Sequence, residues 1–210
     1  MFEFLALITN KHYWKFHSII IKLILKSYGI SVGKGFYCEG VPLLKLRGKA
    51  ENIQIGDYVS FLGNVDLRNR ENGKIIIGNH VAIDGNVRLV AANDTILSIG
   101  EHTGIGAFTV FNCGVDVLIG KNCLISGQCY FQSSEHGIRN NGQLIAHQPH
   151  TYGTIQIGDD VWIAANVTIA KNVILEDGCV VGAKSFLRNT TFSKNSIIAG
   201  IPAKTIKMRI

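Results

Sequence analysis

From Val32 onward an aliphatic residue followed by glycine keeps returning: Val32-Gly33, Ile55-Gly56, Ile77-Gly78, Ile99-Gly100, Ile119-Gly120 and Ile157-Gly158. The intervals are 23, 22, 22, 20 and 38 residues. A shorter beat runs inside each interval. Phe61, Ile83, Ile105, Ile125 and Ile163 fall six residues after the aliphatic partner of a glycine, and small or branched residues such as Val59 and Val65, or Cys123 and Cys129, fall four residues after each apolar one. From Ile157 the beat is unbroken through Ile163, Ile169, Leu175, Val181 and Leu187. A period of six belongs to neither an amphipathic helix nor a simple alternating strand; three such units make one coil of about 18 residues. Each unit is a short flat strand plus a corner, with the apolar and small positions pointing inward and glycine or asparagine relieving the backbone at the bend. Coils stacked at about 4.8 Å, seven or eight of them, build a prism roughly 35–40 Å tall.

Intervals of 22 predict small bulges at corners in the first half. The interval of 38 predicts one coil plus a projecting loop, because residues 133–150 lose the apolar-glycine pattern and turn polar, as SSEHGIRNNGQLIAHQPH. Ahead of the repeat, residues 2 to about 28 read as helical: Phe16, Ile19, Ile20, Leu23 and Ile24 recur at helical spacing, and Gly29 is a stop signal. Such a helix either covers the first coil of a solenoid, whose exposed end needs a cap, or lies on a membrane surface with Lys11, Lys15, Lys22 and Lys26 near headgroups. The apolar run Ile19 to Leu25 is broken by Lys22 and is too short to span a bilayer. The predicted organisation is therefore a helical cap over 1–30, a β-helix over 31–201 with a loop at 132–153, and a basic tail over 202–210.

Composition agrees with a corner-rich β protein: 23 glycines stand against 3 prolines in 210 residues, and only 17% of residues are charged. The net charge of +6 points to an anionic ligand or surface. Basic residues form no dense block and no base-stacking motif is present, so nucleic acid is not the expected partner. The five cysteines, Cys38, Cys113, Cys123, Cys129 and Cys179, form no CxxC pair and are odd in number, which favours a reducing compartment over a disulfide framework. With no clear cleavage signal at the N-terminus, the expected location is cytoplasmic, or the inner face of the membrane if the helix docks there.

The repeat, with SSEHG, IGDDVWIAANVTI, VVGAKS and AGIPAK, resembles the hexapeptide-repeat acyltransferases, and within them the acetyl-CoA-dependent sugar O-acetyltransferases of the galactoside, maltose and surface-polysaccharide types. The resemblance implies a left-handed parallel β-helix, a handedness opposite to the usual crossover rule, and thus an all-β fold of about seven to eight coils with an N-terminal helix and one projecting loop. It implies acetyl-CoA as co-substrate without a metal, a sugar or glycan acceptor in surface polysaccharide synthesis, and a homotrimer with sites between subunits.

Transfer of an acetyl group to a hydroxyl needs a base, because an un-ionised alcohol attacks poorly, and histidine suits this at neutral pH. By resemblance His136 is that base. Glu135 is a candidate to orient its imidazole if the chain bends there, although a backbone carbonyl serves equally well. His147 and His150 either line the site or belong to a wet loop, and Asn112 is a candidate acceptor contact. Trp162 points outward, which suits a ligand or a partner subunit; in the family an aromatic here walls the thioester site. Ala165 and Ala183 lie 18 residues apart and match positions that meet the pantetheine arm. Lys184, Arg188, Lys204 and Lys207 are candidates for the coenzyme phosphates. The cysteines sit at inward positions, so direct transfer in a ternary complex is expected, with a backbone amide holding the oxyanion. The rivals are an N-acetyltransferase or serine acetyltransferase, a zinc enzyme gathering histidines such as His80 and His102, and a non-catalytic binding module.

Overall fold

The computed structural model describes residues 2–9 and 12–210. The repeat is a left-handed parallel β-helix of triangular section. The first face carries eight strands, from Ser31–Val32 to Thr190–Phe192, and the third carries seven, from Leu43–Leu46 to Phe186–Leu187. The second face runs from Tyr37–Cys38 to Ser196–Gly200 and gains one antiparallel strand, Ala203–Met208. Its inward positions stack in register: Ile55, Ile77, Ile99, Ile119 and Ile157 on the first face, Ile83, Ile105, Ile125 and Ile163 on the second, Leu67, Leu89, Phe111, Phe131 and Ile169 on the third. All of these are buried. Each shields the one in the next coil, so the apolar column continues for the length of the prism.

The extra residues of the long coils do not scatter over all corners. Going from first to second face, and from second to third, takes six residues in every coil from Val32 to Leu187. The return to the first face takes 11, 10, 10, 8, 26, 6 and 5 residues, from Leu44 to Ile55 in the first coil through Phe131 to Ile157 in the fifth and Leu187 to Phe192 in the last. One edge of the prism therefore absorbs every insertion, and the polar loop is the largest of them. Ile119 pairs directly with Ile157, so the 38-residue interval is one coil plus a loop.

Two helices precede the prism, α1 (Phe2–Ile8) and α2 (His12–Ser27). The apolar face that the sequence singles out is not the one that docks. Trp14, His17, Ser18, Ile21 and Leu25 are buried, whereas Phe16, Ile19, Ile20, Leu23 and Ile24 face outward. The Ser18 hydroxyl accepts the Cys38 N–H at 2.8 Å, and the Lys22 ammonium donates to the Gly33 carbonyl, so α2 covers the open edge of the first coil. The helix ends in a Schellman turn: Gly29 has φ +95°, Ile30 N–H reaches Leu25 O, and Gly29 N–H reaches Lys26 O. Lys11 lies outside the described residues. At the other end the tail is not loose: Ala203–Met208 pairs with Ser196–Gly200 and covers the last strand of the second face. Among the described residues no helix is long and apolar enough to cross a membrane.

Candidate active site

The loop leaves the prism between Phe131 and Ile155 and is braced at its root. Ser133 is fully buried; its hydroxyl accepts from the Gly114 and Val115 amides at 2.9 and 3.1 Å and donates to the Val115 carbonyl at 2.9 Å. Ser134–Glu135 and Thr151–Tyr152 then run antiparallel as the stem. Tyr152 lies so close over Gly114 that a Cβ there would stand 2.9 Å from its ring. Further out, the buried Gln148 side chain works as a clasp: its carbonyl accepts the Arg139 N–H at 2.8 Å, and its amide donates to the Arg139 and Gln143 carbonyls at 2.8 and 3.2 Å. With Gly137 N–H donating to Pro149 O at 3.0 Å, this closes the loop on itself. The two sides of the stem bring the His136 and His150 rings to a centroid distance of 4.1 Å.

Between stem and prism lies a cavity of about 260 Å³ whose lining includes Asn112, Gln132, Ser134, His136, His150 and Tyr152. Its floor is polar and ordered. Asn112 donates to the Gln132 carbonyl oxygen at 2.8 Å, and the Gln132 amide donates to the Ser134 carbonyl at 2.8 Å and to its hydroxyl at 2.9 Å. Beneath these residues the buried Phe111 and Phe131 rings stack at 4.3 Å, holding adjacent coils in register. His136 is solvent-exposed at the mouth, where a hydroxyl could reach it.

Glu135 has other partners than an imidazole. Its carboxylate receives Arg188 at 2.6 Å and Lys171 at 3.3 Å, and Lys171 also donates to the Thr151 hydroxyl at 2.6 Å. Desolvation alone would raise its pKa, but the hydrogen bonds and charges of Arg188 and Lys171 outweigh that and hold it below the usual carboxylate value. Both side-chain partners of the Glu135 carboxylate lie on the coils that follow the loop, and among the described residues it makes no hydrogen bond to the His136 ring. Arg188 accordingly stands at the foot of the loop, apart from the other expected phosphate contacts.

Thus Asn112, Glu135, His136 and His150 come together around one cavity and its stem, while His147 sits in the short helical turn Ile145–His147 on the exposed outer part of the loop. The remaining expected residues occupy another side of the prism. Trp162 is 49% exposed on the second face, in one outward column with Val180, Ile197 and Lys207. Ala165, Ala183 and Lys184 form the corner leading to the third face, with Lys184 N–H on Ala165 O at 3.0 Å, and Lys204 lies opposite Ala199 on the added strand. His80 and His102 stack at 4.7 Å in a different corner, with Tyr58 on His80 at 5.0 Å, so they pack as a ring column away from the loop histidines. Among the described residues no group of three His, Cys, Asp or Glu side chains is placed to hold a metal ion. All five cysteines are buried, and burial pushes the Cys38 thiol up to about 11 and the Cys113 thiol higher still.

Sequence reasoning missed Ser133, Gln148 and Lys171. A buried glutamine in a polar loop carries no periodic signal, and Lys171 acquires its meaning only because Asn172 and its neighbours stack next to the stem.

Residues 154–189 match the family model described as bacterial transferase hexapeptide (six repeats). The chain is 34% identical over 98 residues to the putative lipopolysaccharide biosynthesis O-acetyl transferase WbbJ of Escherichia coli K12, covering 43% of this chain and 50% of that protein, so it spans about half the length of that relative. It is 26% identical over 188 residues to the galactoside O-acetyltransferase of the same organism, covering 85% of this chain and 86% of the relative. Among solved structures, the N-acyltransferase AntD from Bacillus cereus, in complex with dTDP and 3-hydroxybutyryl-CoA, superposes with a TM-score of 0.62 at 21% identity, covering 90% of this chain and 88% of that one.

Proposed function

We propose that the chain is an acetyl-CoA-dependent O-acetyltransferase acting on a sugar hydroxyl of a surface glycan, a reading supported by the hexapeptide transferase match over residues 154–189 and by the similarity to sugar O-acetyltransferases. The observation that carries this reading is the exposed His136 at the mouth of a braced polar cavity, at the one corner where the prism opens into a long loop. His136 takes the proton of the acceptor hydroxyl as its oxygen attacks the thioester carbonyl carbon. The new C–O bond forms, a backbone amide stabilises the oxyanion, and collapse breaks the C–S bond. The thiolate leaves with the proton returned by the imidazolium. The buried, weakly acidic cysteines favour this direct route over a thioester on the enzyme. Asn112 and His150 are in place to orient the acceptor.

The expected coenzyme contacts, Trp162, Ala165, Ala183, Lys184, Lys204 and Lys207, lie on and beside the second face, while His136 stands at the corner between the third and the first. A homotrimer in which the loop of one subunit faces the second face of the next unites the two sets, and the half-exposed Trp162 supports this arrangement. The outward apolar face of α2, with Lys15 and Lys26 beside it, supports a peripheral contact with the inner face of the membrane.

His136→Ala should lower turnover about 10²- to 10⁴-fold while acetyl-CoA binding, read by calorimetry, is retained. Full turnover in that variant with any sugar acceptor would overturn the assignment. Screening amine acceptors alongside hydroxyl acceptors separates O- from N-transfer.

A further inference from the structure

The third face carries, below the loop, a second groove of about 360 Å³ whose lining holds five cations, Lys45, Arg47, Arg68, Arg70 and Arg88, and no carboxylate. They come from three successive strands of the face. Lys45 pairs in register with Arg68, and Arg88 pairs with Asp66 two residues before Arg68. Arg47 and Arg70 stand two residues further along their strands, where Arg47 N–H bonds Asn69 O and Arg70 N–H bonds Ala91 O. Asp66, just outside the groove, engages Arg68 and Arg88 at 2.5 and 3.0 Å. Among the described residues, Lys45, Arg47 and Arg70 have no carboxylate within salt-bridge distance. Like charges stacked on adjacent strands repel. Their accumulation on one face, with Asp66 as the acid that offsets two of them, leaves unbalanced positive charge along the groove.

The groove is continuous with the His136 cavity, because Arg70 and Asn112 line both. Asn112 and Tyr130 hand the floor on to Gln132, two strands closer to the loop than the Arg88 strand. From the Lys45 strand to the strand that feeds the loop is four coil steps, about 19 Å at strand spacing. A single monosaccharide at His136 would leave this length empty. We propose that the acceptor is an anionic glycan chain, bearing carboxylates or phosphates, that lies along the third face with its charges on Arg47, Arg70 and Lys45 and the hydroxyl to be acetylated at His136. This rests on the acetyltransferase reading and adds the class and direction of the acceptor. The guanidinium forks of Arg47 and Arg70 suit bidentate contact with planar carboxylates or phosphates. Arg68 and Arg88, already tied by Asp66, shape the wall. The alternative source of the anion is the coenzyme's phosphates, and the test separates the two.

Binding is measured by calorimetry on the whole chain, with a hexamer of galacturonic acid as the anionic probe, maltohexaose as the neutral one, and acetyl-CoA as the third ligand. The expected result is binding of the anionic hexamer that weakens steeply between low and physiological salt, with negligible binding of maltohexaose. The double variant Arg47→Gln/Arg70→Gln should bind the anionic hexamer about tenfold more weakly or worse, with unchanged affinity for acetyl-CoA and an unchanged unfolding midpoint, since both side chains are exposed. Lys74→Gln, at an exposed cation on the first face, tests the loss of a positive charge away from the groove and should leave binding unaltered. Equal binding of the two hexamers, an equal loss in the Lys74 variant, or a loss of acetyl-CoA affinity in the double variant would each overturn the proposal. The last outcome would assign the groove to coenzyme phosphates. His136→Ala should still bind the anionic hexamer, so failure of the base assignment and failure of the groove are read separately.

Discussion

At the scale of single residues, the loop shows how one side chain can be spent on position rather than chemistry. Glu135 sits beside the expected base in sequence, yet its carboxylate binds Arg188 and Lys171 and ties the stem to the coils that follow. Because its folded pKa is lowered, the stabilisation it supplies is present above the unfolded value of about 4.3 and fades as pH falls through the folded pKa. Unfolding midpoints of the native protein and Glu135→Gln should therefore differ at neutral pH and converge in strong acid; a gap independent of pH would contradict the ion-pair account. Gln148 has a comparable role on the outer loop. Gln148→Ala leaves three backbone groups without their partner, at a cost of about 1–3 kcal/mol for each that stays dry. The expected readout is faster amide exchange over residues 137–148 and reduced turnover, with the prism's own exchange unchanged.

At the scale of elements, a helix with two apolar faces has one too many for a cap. α2 buries Trp14, Ile21 and Leu25 on the first coil and leaves Phe16, Ile19, Leu23 and Ile24 in water, Leu23 at 63% exposure. If that face meets lipid, Ile19→Glu/Leu23→Glu should abolish co-sedimentation with vesicles containing phosphatidylglycerol, while the unfolding midpoint changes by little because neither side chain is packed. Undiminished sedimentation of the double variant would exclude the helix as the contact. Strands behave differently. Each is two to five residues long within the parallel faces, so none is stable alone, and each is held by inward neighbours above and below. That is why a six-residue beat is legible without any one strand being strongly predicted.

At the scale of the whole molecule, the insertions share one edge, and that edge carries the cavity with His136. A prism can lengthen a corner without disturbing its inward columns, because only the corner's backbone leaves the stack. The side carrying Trp162 and the lysines of the last strands is another one, so a single chain presents two halves of the expected site. Sedimentation at micromolar concentration should give three times the chain mass, and mixing His136→Ala with a Trp162→Ala chain should restore activity in mixed trimers; a monomer with full activity would contradict this.

The spacing of Ile55, Ile77, Ile99 and Ile119, with the six-residue beat inside it, was enough to determine a stacked β-helix, because on each face the inward apolar positions must recur once per coil whatever the corners do. The lone break after Phe131 likewise marked the loop and its histidines. Which corner held the extra residues, which face of α2 docked, and which groups Glu135 and Gln148 bound were decided only by tertiary structure. Those contacts join residues such as Glu135 and Arg188, 53 positions apart, through the stacking of coils, and local sequence carries no period for them. The same stacking gathers Lys45, Arg47, Arg68, Arg70 and Arg88, which along the chain belong to three strands about 20 residues apart, into one groove.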